Sequence, residues 1–152
     1  MPGEMDLETI LNTLSPVLLG PTYVYCSLAQ STYGALAELE PLASVREPEG
    51  LTLIVKAEDA ERAQLECLGM FRCIRLEVHS SLESVGLTAR VSAALAEHGV
   101  SANMLAGAHH DHILVPHAMA NKALKIIERL GEQNKAEDYT RPSPTTLLCS
   151  DS

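Results

Sequence analysis

The run Arg72-Cys73-Ile74-Arg75-Leu76-Glu77-Val78-His79-Ser80-Ser81-Leu82-Glu83-Ser84-Val85-Gly86-Leu87-Thr88-Ala89-Arg90-Val91 decides the fold. As far as His79 it alternates. Ile74, Leu76 and Val78 fall on one side, and Cys73, Arg75, Glu77 and His79 on the other. A period of two marks a strand with one buried face. From Gly86 the period changes. Leu87, Val91, Ala94 and Leu95 form one apolar stripe of a helix that reaches Glu97. Gly99 then supplies the residue type that most readily closes a helix.

Downstream, Val100 to Ala106 reads as a second strand and His112 to Val115 as a third, stopped by Pro116. Ala118 to Leu130 is a second amphipathic helix, with Ala120, Ala123, Leu124, Ile127 and Leu130 inward. Residues 71–130 therefore read strand, helix, strand, strand, helix.

Upstream the pattern is weaker. Asp6 caps a helix through Leu14, which Ser15-Pro16 ends. Thr22 to Ser27 and Ser44 to Glu47 read as strands. The turn Glu47-Pro48-Glu49-Gly50 opens a buried strand, Leu51 to Lys56. Glu58 to Cys67 follows as a helix, broken by Gly69. This half runs directly into Arg72–His79, so the expected class is α+β: two βαββαβ-like units that share strands. The expected division is 1–70, 71–130 and a disordered tail over 131–152. In that tail neither Gly131-Glu132-Gln133-Asn134-Lys135 nor Arg141-Pro142-Ser143-Pro144 shows a period.

Composition narrows the function. Hydrophobic residues make up 46% of the 152 and aromatics only 3%, so the core must be aliphatic. Sparse aromatics offer no stacking platform for single-stranded nucleic acid. A net charge of −9, of which only −2 falls in the tail, argues against phosphate-backbone or anionic-membrane binding. No run is long and apolar enough to span a bilayer. Residues 1–15 lack the apolar core of a leader peptide. The four cysteines, Cys26, Cys67, Cys73 and Cys149, form no Cys-x-x-Cys pair. The expectation is a cytoplasmic protein with free thiols, in which Cys26 and Cys73 act as small buried hydrophobes.

Chemistry concentrates in two places. The first is His79 to Thr88, a strand-to-helix loop with glycine where the helix opens. Free N–H groups at a helix start attract anions, and glycine admits a ligand closely. A carboxylate suits such a site, with Ser80, Ser81 and Thr88 as neutral donors. The competing reading is a self-satisfied turn, in which Ser84 caps the helix and Ser81 completes the loop. The second place is His109-His110-Asp111-His112. Three histidines and a carboxylate are the ligand types of zinc and transition metals. In extended backbone, however, His110 and His112 face one way and His109 and Asp111 the other. At most two ligands then share a face, with His79 a candidate third. The Gly-x-Ser-x-Gly, Walker A, His-Glu-x-x-His and Gly-x-Gly-x-x-Gly motifs are all absent. No catalytic residue, resident metal or cofactor is therefore assigned.

These motifs together resemble the ACT domain superfamily. The phrase Val85-Gly86-Leu87-Thr88-Ala89-Arg90-Val91, with Leu95-Ala96-Glu97-His98-Gly99-Val100-Ser101-Ala102-Asn103, looks like the regulatory domains of aspartate kinases. Glu49-Gly50-Leu51-Thr52, Val78-His79-Ser80-Ser81-Leu82-Glu83, His110-Asp111-His112 and Val115-Pro116 are similar to small stand-alone tandem ACT proteins. The resemblance covers roughly residues 14–130. It implies ferredoxin-like βαββαβ units in tandem, with antiparallel sheets and helices on one face. It also implies amino-acid binding at the loop after the first strand, through Ser80, Ser81, Val85, Gly86, Leu87 and Thr88, with Asn103 from the next strand. The ligand's ammonium group would meet an acceptor such as Glu83, Asp111 or a backbone carbonyl. Many ACT domains carry an acidic residue and Pro-Gly in this loop, where this chain has His79-Ser80-Ser81 and Val85-Gly86.

Three functions follow as competing expectations. The favoured one is a non-catalytic regulatory protein that binds a small molecule, an amino acid in the first instance, and acts through an oligomer or a partner protein. The second is an interaction module that only oligomerises. The third is a small metal-dependent enzyme built on His109–His112.

Overall fold

The computed structural model describes residues 3–78 and 80–140. Its centre is one six-stranded antiparallel sheet in the order β2-β3-β1-β4-β6-β5. The strands are β1 (Pro16–Ala29), β2 (Ala43–Glu47), β3 (Gly50–Lys56), β4 (Leu68–Leu76), β5 (Asn103–Ala106) and β6 (Asp111–Pro116). The helices are α1 (Leu7–Asn12), α2 (Ala57–Arg62), α3 (Leu87–Glu97) and α4 (Ala120–Thr140).

The strand order shows how two units share one sheet. In the second half β4, α3, β5, β6 and α4 follow the expected order, and β1 lies on the open side of β4 as fourth strand. In the first half β1, β2, β3 and α2 are completed by β4 lying against β1. Both central strands therefore serve twice. β1 was expected over Thr22–Ser27 and is fourteen residues long. Its start pairs Pro16–Leu18 with Ile74–Leu76, and its later part pairs Tyr23–Ala29 with β3. The two uses meet at Leu19-Gly20-Pro21, where the register with β4 shifts. Proline has no N–H for the ladder, so a bulge is the physical outcome. The Leu19 carbonyl freed there accepts from Arg72 Nε at 3.2 Å and Nη2 at 2.7 Å.

The four α-helices among the described residues cover one face. Ile74, Leu76, Ile113 and Val115 of the sheet pack under Ile10 and Leu11 of α1, Val91 and Leu95 of α3, and Ala123 and Ile127 of α4. On the same face, Val24, Cys26, Leu51, Leu53 and Val55 pack with Ala60 of α2. The opposite face carries Tyr23, Ile54, Cys73 and Leu114, flanked by Tyr25 and Phe71 in an edge-to-face pair. The core is thus aliphatic on the helix side, as the composition requires.

Several boundaries differ from expectation. α2 ends at Arg62, short of Cys67, and Gln64 adopts a positive φ of 55°. α4 runs to Thr140. The first ten residues of the stretch expected to be disordered are therefore helical, and 141–152 lie outside the described residues. The polar end of α4 mixes strong helix formers (Glu132, Gln133, Lys135, Ala136, Glu137) with weaker ones and is held on α1. Asn134 Nδ2 donates to Asn12 Oδ1 at 2.8 Å.

Candidate functional site

The residues of interest meet because Leu76 pairs with Asp111 in the β4–β6 ladder. That register sets the loop leaving β4 beside the turn that enters β6. Between them lies a cleft of about 130 Å³, lined by Ser80, Ser81, Leu82, Ser84, Gly86 and Leu87 from one side. Thr88 adds to that side, and Ala106, Gly107, His110 and Asp111 face it.

One wall is the start of α3. Gly86 is its N-cap with φ 109°, a conformation open to glycine, and it brings no capping side chain. The first bond inside the helix runs from Arg90 N to the Gly86 carbonyl at 2.9 Å. The N–H groups of Leu87, Thr88 and Ala89 precede it, so the positive end of the helix opens here. Ser84 does not cap. Its own N–H donates to the Ser81 carbonyl at 3.0 Å, and Glu83 N–H donates to Ser81 Oγ at 3.2 Å. The self-satisfied turn is therefore half present: Ser81 closes the loop, and the helix stays uncapped by a side chain.

The N-terminal segment holds this loop from outside. Ser81 N–H donates to the Glu4 carbonyl at 2.7 Å, and Leu7 packs so close to Gly86 that a Cβ there would meet its Cδ2 at 2.9 Å.

The other wall carries the titratable groups. His110 Nε2 lies 3.7 Å from Glu77 Oε2, and Glu77 also accepts from Arg75 Nε at 2.7 Å. His110 Nδ1 is buried and has no hydrogen-bond partner among the described residues. Burial pushes the Asp111 carboxyl above its usual range, against the pull of His112 and His110. His112 is held below the usual imidazole value by burial, then by Arg75 and His110.

Of the residues singled out in the sequence, Ser80, Ser81, Gly86, Leu87, Thr88 and Asp111 line the cleft. Asn103, Glu83 and Val85 do not. Asn103 sits on edge strand β5 opposite Leu114, Glu83 is exposed in the turn, and Val85 is 84% exposed. Strict alternation along His109–His112 also fails. His110 lies in the turn before β6, where Gly107 N–H donates to its carbonyl at 2.9 Å. It therefore lines the same cleft as Asp111, while His112 pairs with Arg75. His110, Leu82, Ser84, Ala106 and Gly107 also line the cleft and were not among the expected binding residues. The signal for them was the hairpin turn between two strands next to the glycine-opened helix. No group of three or more His, Cys, Asp or Glu placed to hold a metal ion occurs among the described residues. His79, the suggested third ligand, lies outside them.

No helix among the described residues is long and apolar enough to cross a membrane. Family models described as ACT domain match residues 2–72 and 71–129. No curated protein matches the sequence. Among solved structures, a Vibrio cholerae protein of unknown function shares 46% identity over 82% of this chain and 95% of its own, with TM-score 0.75. The regulatory subunit of aspartate kinase from Thermus flavus shares the fold at 13% identity, over 78% of this chain and 96% of its own, with TM-score 0.54. The ligand-free regulatory subunit from Thermus thermophilus does so at 13% identity, over 78% and 98%, with TM-score 0.55. The chain belongs to the ACT domain family, as two ACT units in tandem on one antiparallel, ferredoxin-like sheet.

Proposed function

We propose that this protein is a non-catalytic, cytoplasmic amino-acid sensor that binds its ligand in the cleft between the start of α3 and the β5–β6 turn. The observation that carries this reading is the pairing of opposite recognition chemistries across one small space. On one side is a helix N-terminus without a capping side chain, suited to a carboxylate. On the other are the ring of His110 and Asp111, whose carboxylate accepts from an ammonium. An α-amino acid carries these two charges a few bonds apart. About 130 Å³ is well below the roughly 300–1,000 Å³ of pockets for larger ligands. It suits the zwitterionic end with a short side chain.

In this reading Ser80, Ser81 and Thr88 supply neutral hydroxyls, and Gly86 supplies the close approach. Glu83, Val85 and Asn103, expected at the site, play no part in ligand contact within one chain. Leu82 and Val85 stand 70% and 84% exposed on the same loop, apolar surface that a second copy or a partner protein would cover. Binding is thereby relayed to an oligomer or partner. Isothermal titration calorimetry of the small amino acids against their carboxamides tests the reading. An amino acid should bind, and its amide, with the carboxylate removed, should bind at least about tenfold more weakly, a loss of about 1.4 kcal/mol. Equal affinity for both removes the helix N-terminus as the anion site.

A further inference from the structure

We propose that Cys26 and Cys67 form a modification site, a thiol pair that a peroxide-class oxidant converts to an intramolecular disulfide. The pair lies apart from the α3 cleft. Cys26 sits in β1 opposite Leu53 of β3 and is fully buried. Cys67 is exposed, on the link between α2 and β4. Although they are 41 positions apart in the chain, their sulfurs lie 3.7 Å apart.

A disulfide needs about 2.05 Å between sulfurs, so the approach required is under about 2 Å. Cys67 can supply it. α2 has already ended at Arg62 and β4 begins only at Leu68, so Cys67 belongs to neither ladder. Its Sγ is engaged with the Leu65 carbonyl at 3.3 Å, a weak contact. Burial, with the hydrogen bond and charge of Cys67, pushes the Cys26 thiol up to about 11. Cys26 is therefore protonated, and the first contact with an oxidant falls to the exposed Cys67.

The order of events follows from access. Cys67 meets the oxidant first. Its sulfur attacks one oxygen of hydrogen peroxide, and the O–O bond breaks. Cys67 becomes a sulfenic acid, and the departing hydroxide takes the thiol proton to become water. The Cys26 sulfur then attacks Cys67 Sγ. The S–S bond forms, the S–O bond breaks, and the hydroxyl leaves with the Cys26 proton as a second water. Two thiols lose two electrons and two protons, and one peroxide is reduced to two waters. Disulfides of proteins in reducing compartments are usually transient and regulatory, which fits a pair with one exposed member. The bond would fasten the α2–β4 link to the buried strand β1. Cys73, fully buried on the helix-free face, serves as an internal control.

The test is peptide mapping by mass spectrometry without reduction, after the full chain is treated with hydrogen peroxide and its thiols are blocked. Arg46, Arg62 and Arg72 place Cys26, Cys67 and Cys73 on three different tryptic peptides. The expected product is a monomer with the Cys26 and Cys67 peptides joined. The link should be reversed by dithiothreitol and accompanied by a rise in Tm. It should be lost in Cys67→Ser and in Cys26→Ser, and kept in Cys73→Ser and Cys149→Ser. The proposal is overturned if Cys67 accumulates as sulfinic or sulfonic acid with Cys26 still a thiol. It is equally overturned if Cys67 joins Cys73, Cys149 or a second molecule. Should Cys26→Ser fail to fold, the wild-type map and the exposed Cys67→Ser variant decide the matter.

Discussion

Gly86 occupies a φ of 109° against Leu7, so a methyl group there meets both backbone strain and a packed side chain. Gly86→Ala should cost about 1–3 kcal/mol of stability, read from urea denaturation, and should weaken amino-acid binding in the same protein. Asp111 and His112 predict opposite pH signatures. The folded-state pKa of Asp111 is raised, so its contribution is favourable while it is protonated and is lost as pH rises through that value. Asp111→Asn should therefore raise Tm at neutral pH while abolishing ligand binding; a lower Tm would count against a desolvated carboxylate. His112 has a lowered folded pKa, so its contribution is present above the usual value of 6.5 and is lost as pH falls below it. Wild-type stability should decline on acidification from about that point, and His112→Gln should flatten the decline. The site residues were only partly legible at this scale. Gly86 stood out, because glycine where a helix opens leaves the N-terminus without a capping side chain. His110 did not. Its place in the cleft depends on a turn at Gly107 that takes it out of strand alternation.

At the scale of elements, strand and helix types read well where the period was clean. β4 and α3 stand close to where alternation and the 3.6-residue stripe put them. The misses have physical causes. β1 is twice as useful as its sequence suggests, because Gly20-Pro21 looks like a terminator and is instead a bulge inside one long strand. α4 continues past Leu130 because α1 holds its polar end, a tertiary contact that no local pattern records. The bulge makes Arg72 a structural keystone of both units. Arg72→Ala should cost about 1.5–3 kcal/mol, the usual worth of hydrogen bonds from a charged donor. Arg72→Lys should recover only part of it, since one ammonium cannot reproduce the two-nitrogen contact. Denaturation midpoints of the three proteins check this; equal midpoints would mean that the bulge is held by something else.

For the whole molecule, we propose that the chain divides near residue 70 into halves over 1–70 and 71–130, and that neither half folds alone. Each lacks a strand that the other supplies, because β1 and β4 are common to both units. Unfolding of the full chain should be one transition by both circular dichroism and calorimetry. A fragment of residues 71–140 should lack cooperative unfolding, and adding a fragment of residues 1–70 should restore it. A fragment that unfolds cooperatively by itself would contradict strand sharing as the basis of stability. The same sharing gives the proposed function a route. β4 is central to both units and its end runs directly into the cleft loop, so a ligand there bears on the strand that joins the halves. The most direct test of the central claim is an amide nuclear magnetic resonance titration of the full chain with each small amino acid. The account predicts the largest shifts at the Leu87, Thr88 and Ala89 N–H groups, with His110 and Asp111 next. Saturable shifts that cluster elsewhere, or none with any amino acid at millimolar concentration, would contradict it.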